Sequence, residues 1–238
     1  TAFISQVVQA DMPTAERQLL AKARLELLIT CTWDGPVIAE PIESSNGRML
    51  RTYLQAAADF YSGRFSEAER GFAAASGSEL PWLKETAQYM SARTLLNQAQ
   101  AEAFDEYGMP QLARVDKSAL GQAKDGFVGY LETYPQGRYV ASARGLLRRV
   151  YWLADDNIQL ADAYAWAMTQ ASDAQRNVSV DELIEEADLK LLMVNSETVT
   201  TPMIQLVSDL MVMRGGDQPA LSRTDLEKQK VAFASAPE

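Results

Sequence analysis

The sequence predicts an all-α protein, and three observations point that way. The 238-residue chain holds only 13 Gly and 9 Pro, and it is rich in Ala, Leu, Gln, Glu and Arg, the residues that lose least on entering a helix. Apolar residues recur at spacings of three and four, as in Leu19, Leu20, Ala23, Leu27 and Leu28, which gathers them on one helical face. The stretch FVGYLETYPQGRYVASARGLLRRVYW concentrates Phe127, Tyr130, Tyr134, Tyr139, Tyr151 and Trp152 in two helical segments parted only by Pro135, Gln136 and Gly137. Aromatic residues so placed belong to a packed seam between helices. With 47% hydrophobic residues the chain can bury a sizeable core, and little or no sheet is expected.

Composition also excludes classes of function. The net charge is −10, from 32 Asp and Glu against 22 Lys and Arg, so the summed field repels phosphate backbones and anionic headgroups. Nucleic acid is therefore not an expected partner. Arg144, Arg148 and Arg149 fall at helical spacing and read as a solvated face that balances nearby acids. The absence of His removes the commonest general base, the commonest metal ligand and every Ser/His or Cys/His nucleophile pairing. No catalytic, cofactor-binding or metal-binding residue is assigned. Cys31, the only cysteine, has no internal disulfide partner. Its context LLITC is a poor lipoprotein cleavage site, since Glu26 breaks the apolar run and Thr30 is unsuited to the cleavage edge. A partly buried free thiol is expected. No apolar run reaches the about eighteen residues a transmembrane helix needs. The start at Thr1 rather than Met fits either a removed signal peptide or a boundary within a longer protein, and the small-residue tail ASAPE closes the chain.

In chain order, the first helix is expected after Asp11 and Pro13 and ends near Thr30. From Cys31 to Gly47, two Pro, two Gly, Asn and Ser predict a long loop with a short extended piece at Val37–Ile38. Within it, Glu43-Ser44 matches the catalytic dipeptide of lytic transglycosylases without the surrounding signature, and it is not assigned as a site. From Arg48, RTYLQAAADFYSGRFSEAERGFAAASGSELP reads as a helix, the turn Ser62-Gly63-Arg64, a second helix from Ser66 and a closing Leu80-Pro81. The residues Ala68, Phe72 and Ala75 are spaced four then three and share one face. A further helix follows Trp82. Tyr107-Gly108-Met109-Pro110 then breaks the pattern before a helix that opens near Asp116 or Ser118, and Ala123, Phe127, Tyr130 and Pro135 repeat the earlier spacing. The next helix ends near Ala154. Asp155, Asp156 and Asn157 lack the alternating spacing of a calcium loop and read as the cap of IQLADAYAWAMTQAS. Ser179 and Glu182 form a capping box for a helix through Leu192. Thr201-Pro202 starts PMIQLVSDLMVM, which ends at Gly215-Gly216 and is apolar enough that burial is expected. A last amphipathic helix covers about residues 222 to 233.

The residues Ala56, Gly63, Phe65, Ala68, Phe72, Ala75 and Pro81 resemble a tetratricopeptide repeat. The pattern from Phe127 through Tyr130, Leu131, Pro135, Gly137 and Tyr139 is similar to repeats of the outer-membrane assembly lipoprotein and of the Tol-associated periplasmic coordinator of bacteria. In that resemblance Phe127, Tyr130 and Leu131 pack inside, Ala141, Ala143 and Gly145 allow close approach, and Tyr151 and Trp152 seal the stack. The resemblance covers residues 48–171 and implies a TPR-like α-solenoid of antiparallel helix pairs, flanked by irregular helices over 1–47 and 172–238. It further implies a concave groove lined by the first helix of each pair, which holds a peptide or protein partner. In the repeat register the groove-facing residues are Tyr53, Phe60 and Tyr61, then Lys84, Ser91 and Thr94, then Tyr139, Ser142 and Arg149. The function so implied is a non-catalytic scaffold or adaptor for a partner of basic or mixed character, in a bacterial envelope or periplasm, with the cytoplasm as the alternative setting. The alternative is the helical recruitment domain of a larger enzyme resembling a lytic transglycosylase, with its catalytic part outside this chain. Self-association through the Thr201–Met213 helix is a third expectation.

Overall fold

The computed structural model describes residues 2–29, 38, 40–192, 201–213 and 221–234. Cys31, Val37, Gly215-Gly216 and the terminal residues 235–238 lie outside them. Helices and turns account for the described residues, with no β-strand among them, and an isolated bridge joins Phe104 to Pro110. No helix of the described residues is long and apolar enough to cross a membrane. The chain forms two compact units, Thr1–Ala143 and Arg144–Glu238. This division falls elsewhere than the expected ones at residues 47 and 171.

The first unit opens with a helix that the sequence pattern did not single out, α1 (Ala2–Gln9), which buries Phe3 and Val7. Eight residues hold a helix poorly by propensity alone, and packing supplies the rest: the Phe3 ring stacks on Tyr53 at 5.9 Å. The Arg17 guanidinium donates to the Ala10 carbonyl just past the end of α1, at 2.9 Å. The next helix, α2 (Thr14–Ile29), turns Leu20, Ala23 and Leu27 inward. The next described helix is α3 (Ser45–Tyr61), capped by the Ser44 hydroxyl, which accepts from the Gly47 N–H. Glu16 of α2 reinforces that cap, its carboxylate accepting from the Glu43 and Ser44 N–H groups at 2.9 and 3.2 Å and from the Ser44 hydroxyl. The core therefore joins α1 and α2 to α3, with Phe3, Val7, Leu20, Leu27, Leu50, Leu54 and Leu83 in one cluster. The described residues of the segment 1–47 thus share a core with α3 through Phe3, Val7, Leu20, Leu27 and Ile42.

Helices α4 (Phe65–Ala75), α5 (Pro81–Gln100) and α6 (Lys117–Thr133) pack in succession after α3. Gly63 makes the α3–α4 turn with a φ of 76°, a backbone state in which a Cβ is strained. Two crossings repeat the same close contact. A Cβ on Gly71 would lie 2.7 Å from the Ala56 Cβ, and one on Gly126 would lie 2.8 Å from the Ala92 Cβ. The aromatic contacts repeat as well. Tyr53 meets Phe72 at 5.7 Å and Trp82 at 5.3 Å, while Tyr89 meets Phe127 at 6.2 Å and stacks on Tyr139 at 4.5 Å. In each case a tyrosine of one helix touches the phenylalanine of the next and an aromatic at the start of the one after.

The break after α5 is a compact loop. Asp105 accepts from the Tyr107 and Met109 N–H groups at 3.0 and 2.8 Å, and the Asp116 N–H returns to the Ala99 carbonyl at 3.0 Å. The Asp116 carboxylate then caps α6, accepting from Ser118 and Ala119. Tyr130 is fully buried. Its hydroxyl donates to Glu85 at 2.9 Å and accepts the Tyr139 N–H at 2.9 Å, which fixes the turn into α7 (Val140–Leu153).

The second unit comprises the rest of α7 with α8 (Asn157–Thr169), α9 (Val180–Ala187), a π-turn over 188–192, α10 (Pro202–Met213) and α11 (Arg223–Ala234). Asp156 caps α8 by accepting from the Gln159 N–H, and Ser179 with Glu182 makes the reciprocal capping box of α9. Its core gathers Leu160, Tyr164, Leu183, Leu191, Leu192, Ile204 and Val207. The expected burial of α10 holds for one face only. Ile204 and Val207 are inside, packed with residues of α8, α9 and the π-turn, whereas Leu206, Leu210 and Met213 are 41%, 40% and 72% exposed.

Candidate functional site

Aromatic side chains from α1, α3 and α5, with Tyr139 ahead of α7, surround a cleft of about 500 Å³ in the first unit. Ala2, Ala57 and Ala58 give it depth, and Arg24 of α2 stands on its wall. Tyr53 is held by rings on three sides, stacked on Phe3, tilted against Phe72 and edge-on to Trp82. Tyr61, at the end of α3, is 56% exposed and meets Phe60 edge to face at 5.2 Å. Tyr139 stacks on Tyr89 and shares a hydrogen bond of 3.0 Å with the Thr86 hydroxyl.

Electrostatically the cleft is a set of constant donors. Burial pushes the Tyr53 phenol well above its ordinary range, the neighbouring Tyr139 and Tyr61 add to that, and Arg24 alone opposes it. Burial likewise raises the Tyr139 phenol. These two phenols keep their protons at neutral pH. Among the described residues, no carboxylate lies within ion-pair distance of Arg24 and no acceptor takes a hydrogen bond from it. Apolar walls, phenolic hydroxyls and one guanidinium suit recognition of a side chain and an acceptor; none of them is a base poised near neutrality.

The cleft brings together Tyr53, Tyr61 and Tyr139 of the residues that the repeat register places in a groove, and leaves the others elsewhere. Phe60 is 7% exposed and packs on Phe65 at 6.1 Å beneath the Arg93 guanidinium, so it belongs to the seam. Thr94 is fully buried and donates to the Met90 carbonyl one turn back at 2.7 Å, which withdraws it from any groove. Ser91 turns toward α4 and donates to Glu69 at 3.2 Å. Ser142 pairs with the Tyr89 hydroxyl at 2.7 Å, joining α5 to α7. Lys84 is exposed on the first turn of α5 but does not line the cleft. Arg149 lies in the second unit, half-buried, where burial lowers its pKa. The register overlooked Phe3, Arg24 and Trp82. Phe3, Ile4 and Val7 carry helical spacing, the one sequence signal that could have brought α1 to the site.

No family model, curated protein or solved structure matches this chain.

Proposed function

We propose that this chain is a non-catalytic scaffold or adaptor that holds a peptide segment of a partner protein in the aromatic cleft. The observation that carries this reading is the convergence of Tyr53, Tyr61, Tyr139 and Arg24 on one concavity. Tyr and Arg are the residue types that dominate binding hot spots, because they bring large area or a charge at low entropic cost. The occupant is of mixed character. An apolar or aromatic side chain enters between Phe3, Tyr53 and Trp82, and a carboxylate or carbonyl meets Arg24, while basic residues outside the cleft meet a surface whose net charge is −10. The setting proposed is a bacterial envelope or periplasm, which rests on the resemblance of residues 48–171 to tetratricopeptide repeats.

The test is site-specific photocrosslinking in native cells, with the crosslinker at Tyr61 and, as a control, at Tyr107, which is 82% exposed and does not line the cleft. One protein should be enriched at position 61 over 107. The purified partner should then lose affinity by about 2 kcal/mol, roughly thirty-fold, with Tyr61→Ala or Arg24→Glu. An identical crosslinked set at both positions, or unchanged affinity in both variants, rules the cleft out as the binding site.

A further inference from the structure

The second unit contains an arginine pair that does not behave as a solvated face. Arg148 is 3% exposed. Its guanidinium donates to Asn177 at 2.9 Å and pairs with Glu186 at 3.2 Å, and Glu186 also pairs with Lys190. Arg144 lies with its guanidinium 3.9 Å above the Trp166 ring, and burial lowers its pKa. Among the described residues no carboxylate is within ion-pair distance of Arg144, and no acceptor takes a hydrogen bond from it. The buried Nε–H groups of Arg144 and Arg148 both lack a partner there. Burying the Arg148 guanidinium and the Nε–H of the half-buried Arg144 with donors unmatched is unfavourable unless something else completes them.

Both arginines line a cavity of about 240 Å³ between α7 and α8. Leu147, Ala163 and Trp166 form its apolar wall, and Asp162 stands at its edge. The charge of Arg148 is shared with Glu186, so among the described residues Arg144 is the cavity guanidinium that has no carboxylate within ion-pair distance. A stacked guanidinium presents its remaining N–H groups in a plane, the geometry that matches a carboxylate with two parallel hydrogen bonds. A phosphate dianion fits less well, since Asp162 repels the second charge and the Arg148 Nη2 is already taken by Asn177 and Glu186. The volume is below that of sites for drug-sized ligands, which begin at about 300 Å³.

We propose that this α7–α8 cavity binds a small organic monocarboxylate, its carboxylate on the Arg144 guanidinium and its hydrocarbon part against Leu147, Ala163 and Trp166. This site is separate from the aromatic cleft, and neither depends on the other. Bound ligand supplies the acceptor that Arg144 lacks, and the stacked ring holds the guanidinium in place beforehand, so little ordering is required on binding.

The experiment is a titration of the full chain at constant ionic strength, following arginine Nε–H resonances by NMR with three probes: sodium 3-methylbutanoate, neutral 3-methylbutanamide and sodium phosphate. The Arg144 Nε–H signal should shift saturably with 3-methylbutanoate and respond at least ten-fold more weakly to the amide and to phosphate. Ala163→Leu, which fills the cavity and leaves both arginines, should abolish saturation, as should Arg144→Gln. Asp162→Asn should tighten binding several-fold by removing a like charge. Equal response to acid and amide, preference for phosphate, or no saturation by any probe would overturn the proposal. Circular dichroism of each variant establishes that it is folded, and Ala163→Leu decides the matter even if Arg144→Gln is not.

Discussion

At the scale of single residues, three glycines of α6 separate helix propensity from packing. A Cβ on Gly126 would stand 2.8 Å from the Ala92 Cβ, while one on Gly121 or Gly129 would meet nothing within 4 Å. Replacing a helical glycine by alanine recovers about 1 kcal/mol of backbone entropy where space allows. Gly121→Ala and Gly129→Ala should therefore each stabilise by about 0.5–1 kcal/mol. Gly126→Ala gains the same propensity but must push α5 and α6 apart, and overpacking of that kind costs about 1–3 kcal/mol. It should come out destabilising, as should Gly71→Ala against Ala56. Urea denaturation measures all four, and a stabilised Gly126→Ala would mean that the crossing is looser than 2.8 Å implies.

At the scale of elements, the buried Tyr130 hydroxyl ties α6 to the turn before α7 through Glu85 and the Tyr139 N–H. Tyr130→Phe leaves the volume filled and takes the acceptor from the Tyr139 N–H, while Glu85 keeps the Arg138 N–H, a loss of about 1–3 kcal/mol. Tyr107→Phe, on an exposed ring, should change stability by less than about 0.5 kcal/mol. Equal effects of the two would remove the hydroxyl from the account. The same elements indicate what a sequence can reveal. Asp116, Asp156 and the Ser179/Glu182 box were legible because a cap is a local bargain between a side chain and backbone N–H groups two or three residues on. The turn at Gly63 and the breaks at Pro81 and Pro135 are equally local. Helix α1 was not, since it depends on Phe3 meeting Tyr53 across the chain. Arg24 joined the cleft only through the way α2 lies on α3, and which face of α10 is buried depends on its contacts with α8 and the π-turn. Of the site, the tyrosines could be read from repeat register, while the cation and the α1 wall needed the tertiary structure.

At the scale of the whole molecule, the titratable groups set how stability follows pH. Hydrogen bonds from Ser44 hold the Glu16 carboxyl below its ordinary value. The Ser179 N–H and hydroxyl do the same for Glu182, and the Ser222 hydroxyl and N–H for Asp225. Burial pushes Glu186 up, but the hydrogen bond from Lys190 and the charge of Arg148 outweigh it, so its pKa is lowered as well. A carboxyl whose pKa is lower in the folded state binds fewer protons there than in the unfolded chain. Its contribution is complete above the unfolded value, about 4, and is lost as pH falls through the folded one. The chain contains no His, so no side chain with an ordinary pKa between about 5 and 8 is present to tilt the curve. The melting temperature should be nearly flat from about pH 5.5 to 7.5 and fall below about pH 4.5. Loss of negative charge on acidification relieves self-repulsion and works the other way, but about 0.15 M salt limits that effect to charges within roughly 8 Å. Glu16→Gln should lower the plateau and reduce the acid slope together, because it removes the lowered carboxyl along with part of the α3 cap. Circular dichroism melts across this range check both. A plateau that slopes between pH 5.5 and 7.5 would place the pH dependence in groups other than these carboxylates.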